Sequence, residues 1–491
     1  MRKRLMDRIL GSALLPLVSA LVLAGCSTTP AFAPTVAPAA PAAFKEAGER
    51  WVNLAPTGAQ PRGEWWRAFS DPVLDDLVAR AAAKNTSLQT AAAHLAEARA
   101  LLRDANANLW PQVGVGAGVS RGTLQPGQGG APGQAFNLGT AGLNASWEPD
   151  VFGKLTHARD AAALDARSRA ALLQDTQLLV QSDVAQAYFG LRALDAERVL
   201  VRRSVEAYRD TLRLTERRYQ AGDVAELDLA RVQAEVASTS SQALALDRQR
   251  ALNEHALAVL LGEVPSNFSL PAAPEWGGAL PVVPPGVPST VLARRPDVAA
   301  AQLAMQAAEE RAGVARRAWF PDIALTANAG YASGDLGKLF DWSARAWGVG
   351  ALLSLPIFDA GRREAGVQAA NAQWDAAAAG YREQVLGAFQ DVEDQLSSLR
   401  LLASQADTQQ TAVDAATRAT ALSDTRYRNG LVSQLELLDA QRSELADRRV
   451  AVQVRAAQYQ ATIGLIRALG GSWGDASPPP TAAASAPATP A

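Results

Sequence analysis

Apolar positions in this chain recur with two different periods, and the order in which those periods succeed one another is written twice. Val113, Val115, Ala117 and Val119 alternate with Gly114, Gly116, Gly118 and Ser120, the period of two that marks a strand with one apolar face. A glycine- and glutamine-rich loop, Gly122 to Gln134, leads to a second alternating run over Leu138 to Trp147. Both runs have counterparts: Ile323, Leu325, Ala327, Ala329 and Tyr331, then Trp347, Val349, Ala351, Leu353 and Leu355. Strands are expected at 112–121, 137–148, 322–332 and 345–356.

Three-and-four spacing occupies most of the rest. It runs through Leu74, Leu77, Val78, Leu88, Leu95 and Leu102, and in the second half through Val298, Gln302, Met305 and Ala308. Each strand pair is followed by a long proline-free stretch. Val205, Tyr208, Leu212, Thr215 and Tyr219 mark a heptad seam there, and Leu438, Leu445, Val452, Tyr459 and Ile466 fall at every seventh position. Helices are expected at 72–109, 154–219, 224–261, 296–318, 361–427 and 432–469. At 1.5 Å per residue the second of these reaches about 100 Å. The chain then turns at Gly222, and in the other half at Gly430, since glycine accepts a positive φ without a Cβ clash.

Tyr219-Gln220-Ala221-Gly222 returns as Tyr427-Arg428-Asn429-Gly430, and Leu261-Gly262 as Leu469-Gly470, each 208 positions later. A copy of this size is no solenoid unit of 20–50 residues. It is one large module present twice, over 63–262 and 289–474, with residues 263–288 and their seven prolines as connector.

Strands of about ten residues match the length of a tilted strand crossing a bilayer. Trp147, Tyr331, Trp342 and Trp347 lie near strand ends, where interfacial aromatics sit. The competing reading is two soluble hairpins packed on helices. In a membrane, four strands cannot close and open edges are not tolerated. Several copies must then share one barrel as a closed ring of identical subunits, of a size this argument leaves open. The helical hairpins, rich in alanine and polar residues, need neighbours on both sides, as staves of a cylinder do. A coiled-coil spacer without a lumen is the alternative, although its heptads should hold more leucine and isoleucine.

The front end supplies an address. Arg2, Lys3, Arg4 and Arg8 precede an apolar run ending in Leu23-Ala24-Gly25-Cys26, the layout of a secretory signal over residues 1–25 rather than of a spanning helix. The segment resembles a bacterial lipobox, in which the cysteine is acylated. Cys26 is the chain's single cysteine, which excludes a disulfide framework and a cysteine metal site but suits a residue consumed by a lipid anchor. Ser27 follows instead of the aspartate of an inner-membrane retention signal, so the outer membrane is expected. Residues 26–62 read as a lipid-anchored linker and 475–491 as a disordered tail.

Net charge is −2 for 491 residues, and removal of the signal takes away four basic residues and one acidic. No basic patch points to nucleic acid. His94, His157 and His255 are scattered, without metal-ligand spacing. Glycine-rich segments such as Gly127 to Gly133 lack the context of a phosphate cradle, and no nucleophile elbow is present. No catalytic residue, cofactor or metal site is expected, and the chain is not expected to be an enzyme. Of three methionines only Met305 follows Cys26, so nothing advertises a copper-dedicated path.

Five segments together resemble the TolC family of outer-membrane efflux lipoproteins, NodT-like branch. They are Trp66-Arg67-Ala68-Phe69-Ser70-Asp71-Pro72, Arg294-Arg295-Pro296-Asp297-Val298, Leu355-Pro356-Ile357-Phe358-Asp359, Leu437-Leu438-Asp439-Ala440-Gln441-Arg442 and Ala468-Leu469-Gly470-Gly471. The resemblance implies an α+β membrane protein of two tandem repeats. Each repeat would give two strands to a shared outer-membrane barrel and long antiparallel hairpins to a periplasmic α-barrel. It also implies a homotrimer serving as passive exit channel of a tripartite pump, with a periplasmic adaptor and an inner-membrane transporter of the RND type. Gly222 and Gly430 match the hairpin tips that the adaptor engages. Leu435, Glu436 and Asp439 match gate positions, and Tyr427 and Asp228 match a pair linking neighbouring coiled coils in the closed state. Val432 stands where the family carries an arginine. A periplasmic scaffold or adaptor without a pore is the rival function; an adaptor should show a single hairpin flanked by β-rich domains.

Overall fold

The computed structural model describes residues 40–41, 43–46, 64–123, 135–273, 280–283 and 288–471. Cys26, the signal segment and the C-terminal tail lie outside them. The helices are α1 (Pro72–Lys84), α2 (Thr86–Ala107), α3 (Lys154–Gln220), α4 (Glu226–Leu260), α5 (Pro288–Arg294), α6 (Pro296–Arg317), α7 (Arg362–Arg428) and α8 (Gln434–Ala468). The strands are β1 (Gln112–Thr123), β2 (Ala135–Trp147), β3 (Asp322–Ser333) and β4 (Arg345–Ser354).

The repeat is literal. Both α3 and α7 have 67 residues, and both α4 and α8 have 35, each pair 208 positions apart. Packing repeats as well. Gly262, at φ 68°, lies so close to α1 that a Cβ would sit 2.3 Å from the Lys84 carbonyl, and Gly470 stands likewise against the Arg294 carbonyl at 2.9 Å. Asn85 donates to the Leu260 carbonyl (2.7 Å), and Arg295 donates to that of Ala468 (3.2 Å). In both halves the returning helix is pinned to the start of the helix that leads into the sheet.

The sequence predicts one helix over 72–109; the structure breaks it at Asn85. That residue is extended (ψ 129°), and its side chain accepts from the amides of Ser87 and Leu88, so it caps α2 and ends α1 together. Pro72 opens α1 where its missing N–H costs nothing. Asp71 caps that helix and also accepts from the Tyr188 hydroxyl at 2.6 Å. Burial, with this carboxylate alongside, pushes the Tyr188 phenol up to about 12.

The largest core lies where α1, the middle of α3 and α7, and the ends of α4 and α8 meet, around Trp65, Phe69, Phe189, Leu261, Leu396 and Tyr459. Two segments expected to be linkers contribute to it. Phe44 is buried there, while the amides of Lys45 and Glu46 donate to the two oxygens of Glu393 on α7 (2.7 and 2.9 Å). From the connector, Phe268, Leu270 and Val283 are buried. It is fastened by Asp195, which is 1% exposed, pairs with Arg192, Arg198 and Arg250, and accepts from the Ala273 amide. Isolated apolar residues in proline-rich stretches carry no period, which is why the sequence hides this packing. No helix of the described residues is long and apolar enough to cross a membrane.

Asp195→Ala removes the buried carboxylate that Arg192, Arg198 and Arg250 share, although Arg198 keeps Asp247 and Arg250 keeps Glu254, and should destabilise this region by about 1–3 kcal/mol, read as a lowered denaturation temperature. Asp175 and Asp183 on α3 behave oppositely. Burial raises the pKa of both, Asp297 adding to the effect at Asp175. A carboxylate whose folded pKa exceeds its unfolded one disfavours folding while ionised, and the penalty vanishes as pH falls below the unfolded value. Asp175→Asn and Asp183→Asn should therefore raise the denaturation temperature at pH 7 but not below about pH 4.

Candidate pore and gate

The four strands form one antiparallel sheet in the order β1-β2-β3-β4, and the register runs without a bulge. Odd-numbered residues of all four strands therefore share one face and even-numbered ones the other. Across the odd face run Val113, Ala145, Ala327 and Val349, then Val115, Leu143, Ala329 and Trp347. Nothing among the described residues covers it: Val115 is 82% exposed and Trp347 78%. The even face carries Gln112, Ser146, Thr326 and Gly350, then Gly114, Asn144, Asn328 and Gly348. A sheet apolar on one side and polar on the other, with no protein over the apolar side, is made to face lipid outward and water inward. Exposed aromatics stand at both ends of the strands, Trp110 at one and Phe340 and Trp342 at the other.

At the far end of the long helices the two tips are built alike. Gly222 (φ 84°) and Gly430 (φ 71°) follow α3 and α7 with open space where a Cβ would be, so conformation, not crowding, requires glycine. The Asp223 amide donates to the Arg218 carbonyl (2.8 Å) and the Leu431 amide to that of Arg426 (2.9 Å), the left-handed cap that satisfies orphan carbonyls. Ser433 caps α8 by accepting from the Glu436 amide.

The structure sorts the first turns of α8 by face. Gln434, Leu437 and Leu438 are buried, whereas Leu435, Glu436 and Asp439 are exposed together. Glu436 lies 3.9 Å from Arg426, and Asp439 lies 3.7 Å from Arg442. Arg442 also grips Glu235 of α4, the last of a series of ties between the hairpins that includes Arg449 with Glu197 and Gln460 with the Gln186 carbonyl. Beyond that level the seam is held differently. Tyr427 is 3% exposed, its ring under the Arg218 guanidinium (4.8 Å), and its hydroxyl has no hydrogen-bond partner among the described residues. Asp228 pairs instead with Arg231 of its own helix at 3.7 Å. The Tyr427–Asp228 bond implied by the family resemblance is thus not made within the chain. Cavities of about 190 and 620 Å³ border Gln441 here, with Tyr208 on the smaller and Tyr427 on the larger. Arg218 and Arg426, and the tie made by Arg442, escaped notice in the sequence because an arginine every few residues on a long helix looks solvated. Only the second helix pair shows which ones have partners.

Strands that need lipid on one side and further strands at both edges, borne on helices of about 100 Å, define a channel subunit of the outer-membrane type. The chain belongs to the outer membrane efflux protein family, whose pattern matches residues 77–263 and again 287–471. It is 32% identical over 462 residues to the toluene efflux pump outer membrane protein TtgC of Pseudomonas putida, covering 93% of this chain and 94% of that one. It is also 32% identical over 464 residues to the cation efflux system protein CusC of Escherichia coli, covering 94% and 98%. Among solved structures, the outer-membrane channel OprN superposes with a TM-score of 0.80 at 30% identity, over 89% of this chain and 99% of that one. The fold is that of trimeric outer-membrane efflux channels, and the protein is an efflux channel of the outer membrane that extends into the periplasm.

Because the Tyr427 hydroxyl is unpartnered, Tyr427→Phe should leave basal current in planar bilayers unchanged. Arg218→Ala removes the cation from the ring and should raise basal open probability roughly two- to fivefold.

Proposed function

We propose that three copies of this chain close a twelve-stranded barrel, continue it as a helical cylinder, and serve as the passive exit duct of a tripartite pump. The observation that carries this reading is the four-stranded sheet with both outer edges unpaired beside an uncovered apolar face. In lipid each edge requires another strand, and in a ring of identical subunits β4 of one copy meets β1 of the next. The lipid anchor is Cys26, whose acyl chains hold the chain to the outer membrane independently of the barrel.

The tips at Gly222 and Gly430 are the docking points for a periplasmic adaptor, which couples the duct to an inner-membrane transporter of the RND type. The exposed face of Leu435, Glu436 and Asp439 turns into the lumen and narrows it. Three copies of each acid form carboxylate rings, which attract cations. The relatives are named for solutes as unlike as toluene and cations, so substrate choice is assigned to the transporter.

Detergent-solubilised protein should sediment as three copies around a continuous cavity; a stable monomer would end this reading. Millimolar divalent cations should depress bilayer current through the wild type. Glu436→Gln with Asp439→Asn should remove most of that block, and an undiminished block would take the two acids out of the pore.

A further inference from the structure

The even-numbered face of the sheet follows a rule that its glycines disclose. At several levels the inner strands β2 and β3 supply a side chain, and the outer strand beside it, β1 or β4, supplies a glycine for it to lie against. A Cβ on Gly114 would stand 3.2 Å from Oδ1 of Asn144, and one on Gly348 would stand 2.9 Å from Oδ1 of Asn328. Thr326 lies against Gly350 in the same way (2.9 Å), Thr140 against Gly118 (3.6 Å) and Phe136 against Gly122 (3.1 Å). The carboxamides therefore lie flat along the wall rather than standing off it. One level further from the helices come Gly116, Gly142, Gly330 and Ala346. There the two middle strands approach so closely that a Cβ on Gly330 would be 2.3 Å from the Ala141 carbonyl oxygen.

Charge is missing from this surface in the middle of the strands. Among the described strand residues, the acidic or basic ones are Arg121 and Arg345, on the odd face, and Asp322 on the even face. Asp322 sits at the very start of β3 and is paired with Lys154 at 2.9 Å. From Gln112 up to Gly118 the even face offers amides, hydroxyls, bare backbone and the methyls of Ala332 and Ala346.

We propose that Asn144 and Asn328 form a flush, uncharged amide band around the barrel lumen, and that the strand wall takes no part in sorting solutes by charge. That sorting is left to Glu436 and Asp439 at the other end of the duct. The proposal rests on the channel reading above and adds which residues determine selectivity and which do not. A neutral wall suits an exit duct: a solute already admitted meets hydrogen-bonding groups that replace part of its hydration but no fixed charge to hold it. If β4 of one subunit pairs with β1 of the next, both strands at each joint carry glycine at these levels. The band would then consist of three amide pairs separated by three bare stripes.

The test is the reversal potential of full-length channels in planar bilayers under a KCl gradient. Glu436→Gln with Asp439→Asn should bring the potassium-to-chloride permeability ratio close to one. In that background, Asn144→Asp with Asn328→Asp should raise the ratio at least threefold, and Asn328→Lys should lower it below one. A neutralised-gate channel that keeps the wild-type ratio would overturn the proposal, because charge would then be sorted elsewhere. A ratio indifferent to both aspartates and lysine would overturn it too, by removing the band from the solute path. Heat-modifiable trimer on gels verifies insertion of each variant, and Asn328→Lys alone suffices if the double aspartate fails to insert. Absence of any conducting channel, wild type included, would instead sink the underlying channel reading.

Discussion

Everything in this molecule answers to the hydrogen-bonding needs of two unpaired strand edges. In hydrocarbon each exposed backbone N–H or C=O costs several kcal/mol, and β1 and β4 each present a whole row of them. The apolar odd face commits the sheet to lipid, and lipid makes the open edges untenable, so the chain is built to be incomplete alone. The same incompleteness extends into the periplasm. The long helices bury side chains mainly in one region near their middle, and elsewhere show small clusters such as Tyr208, Val232 and Leu438.

The hairpins are consequently held to one another by spaced polar ties instead of a continuous core. Pairs such as Arg449 with Glu197 and Arg442 with Glu235 are partly exposed, where each ion pair contributes about 0.2–1 kcal/mol. Towards the tips these ties thin out, leaving the Tyr208 and Tyr427 hydroxyls, the Gln434 amide group and the Gln441 carbonyl oxygen without partners among the described residues. The seam is thus tied by polar pairs above and loosely packed below, whereas the region around Trp65 and Tyr459 holds the largest buried core. Local stability that falls along the helices in this way is what the gate proposed at their ends would require.

Much of this was legible because the sequence obeys simple periods. Alternation located all four strands, since each has one face in lipid and one in water, and the 208-residue offset marks two copies of one module. The failures have equally definite causes. A break at Asn85 costs only one helical turn and leaves the three-and-four spacing on either side intact, so periodicity runs straight through it. Phe44, Phe268 and Leu270 are solitary apolar residues among prolines and alanines, with no period to betray burial. The Tyr427–Asp228 pair comes from the family resemblance alone, and within this chain the tyrosine ring lies under Arg218.

The kinds of element, their order, their duplication and the face each strand turns outward follow from local spacing and from the chemistry of single residues, and so are written in the chain. Packing in three dimensions settled which arginines hold which carboxylates, which residues of the first turns of α8 share an exposed face, and how glycines of β1 and β4 receive side chains of β2 and β3. Those are relations between residues tens to hundreds of positions apart. They depend on register and helix rotation, which no local period records.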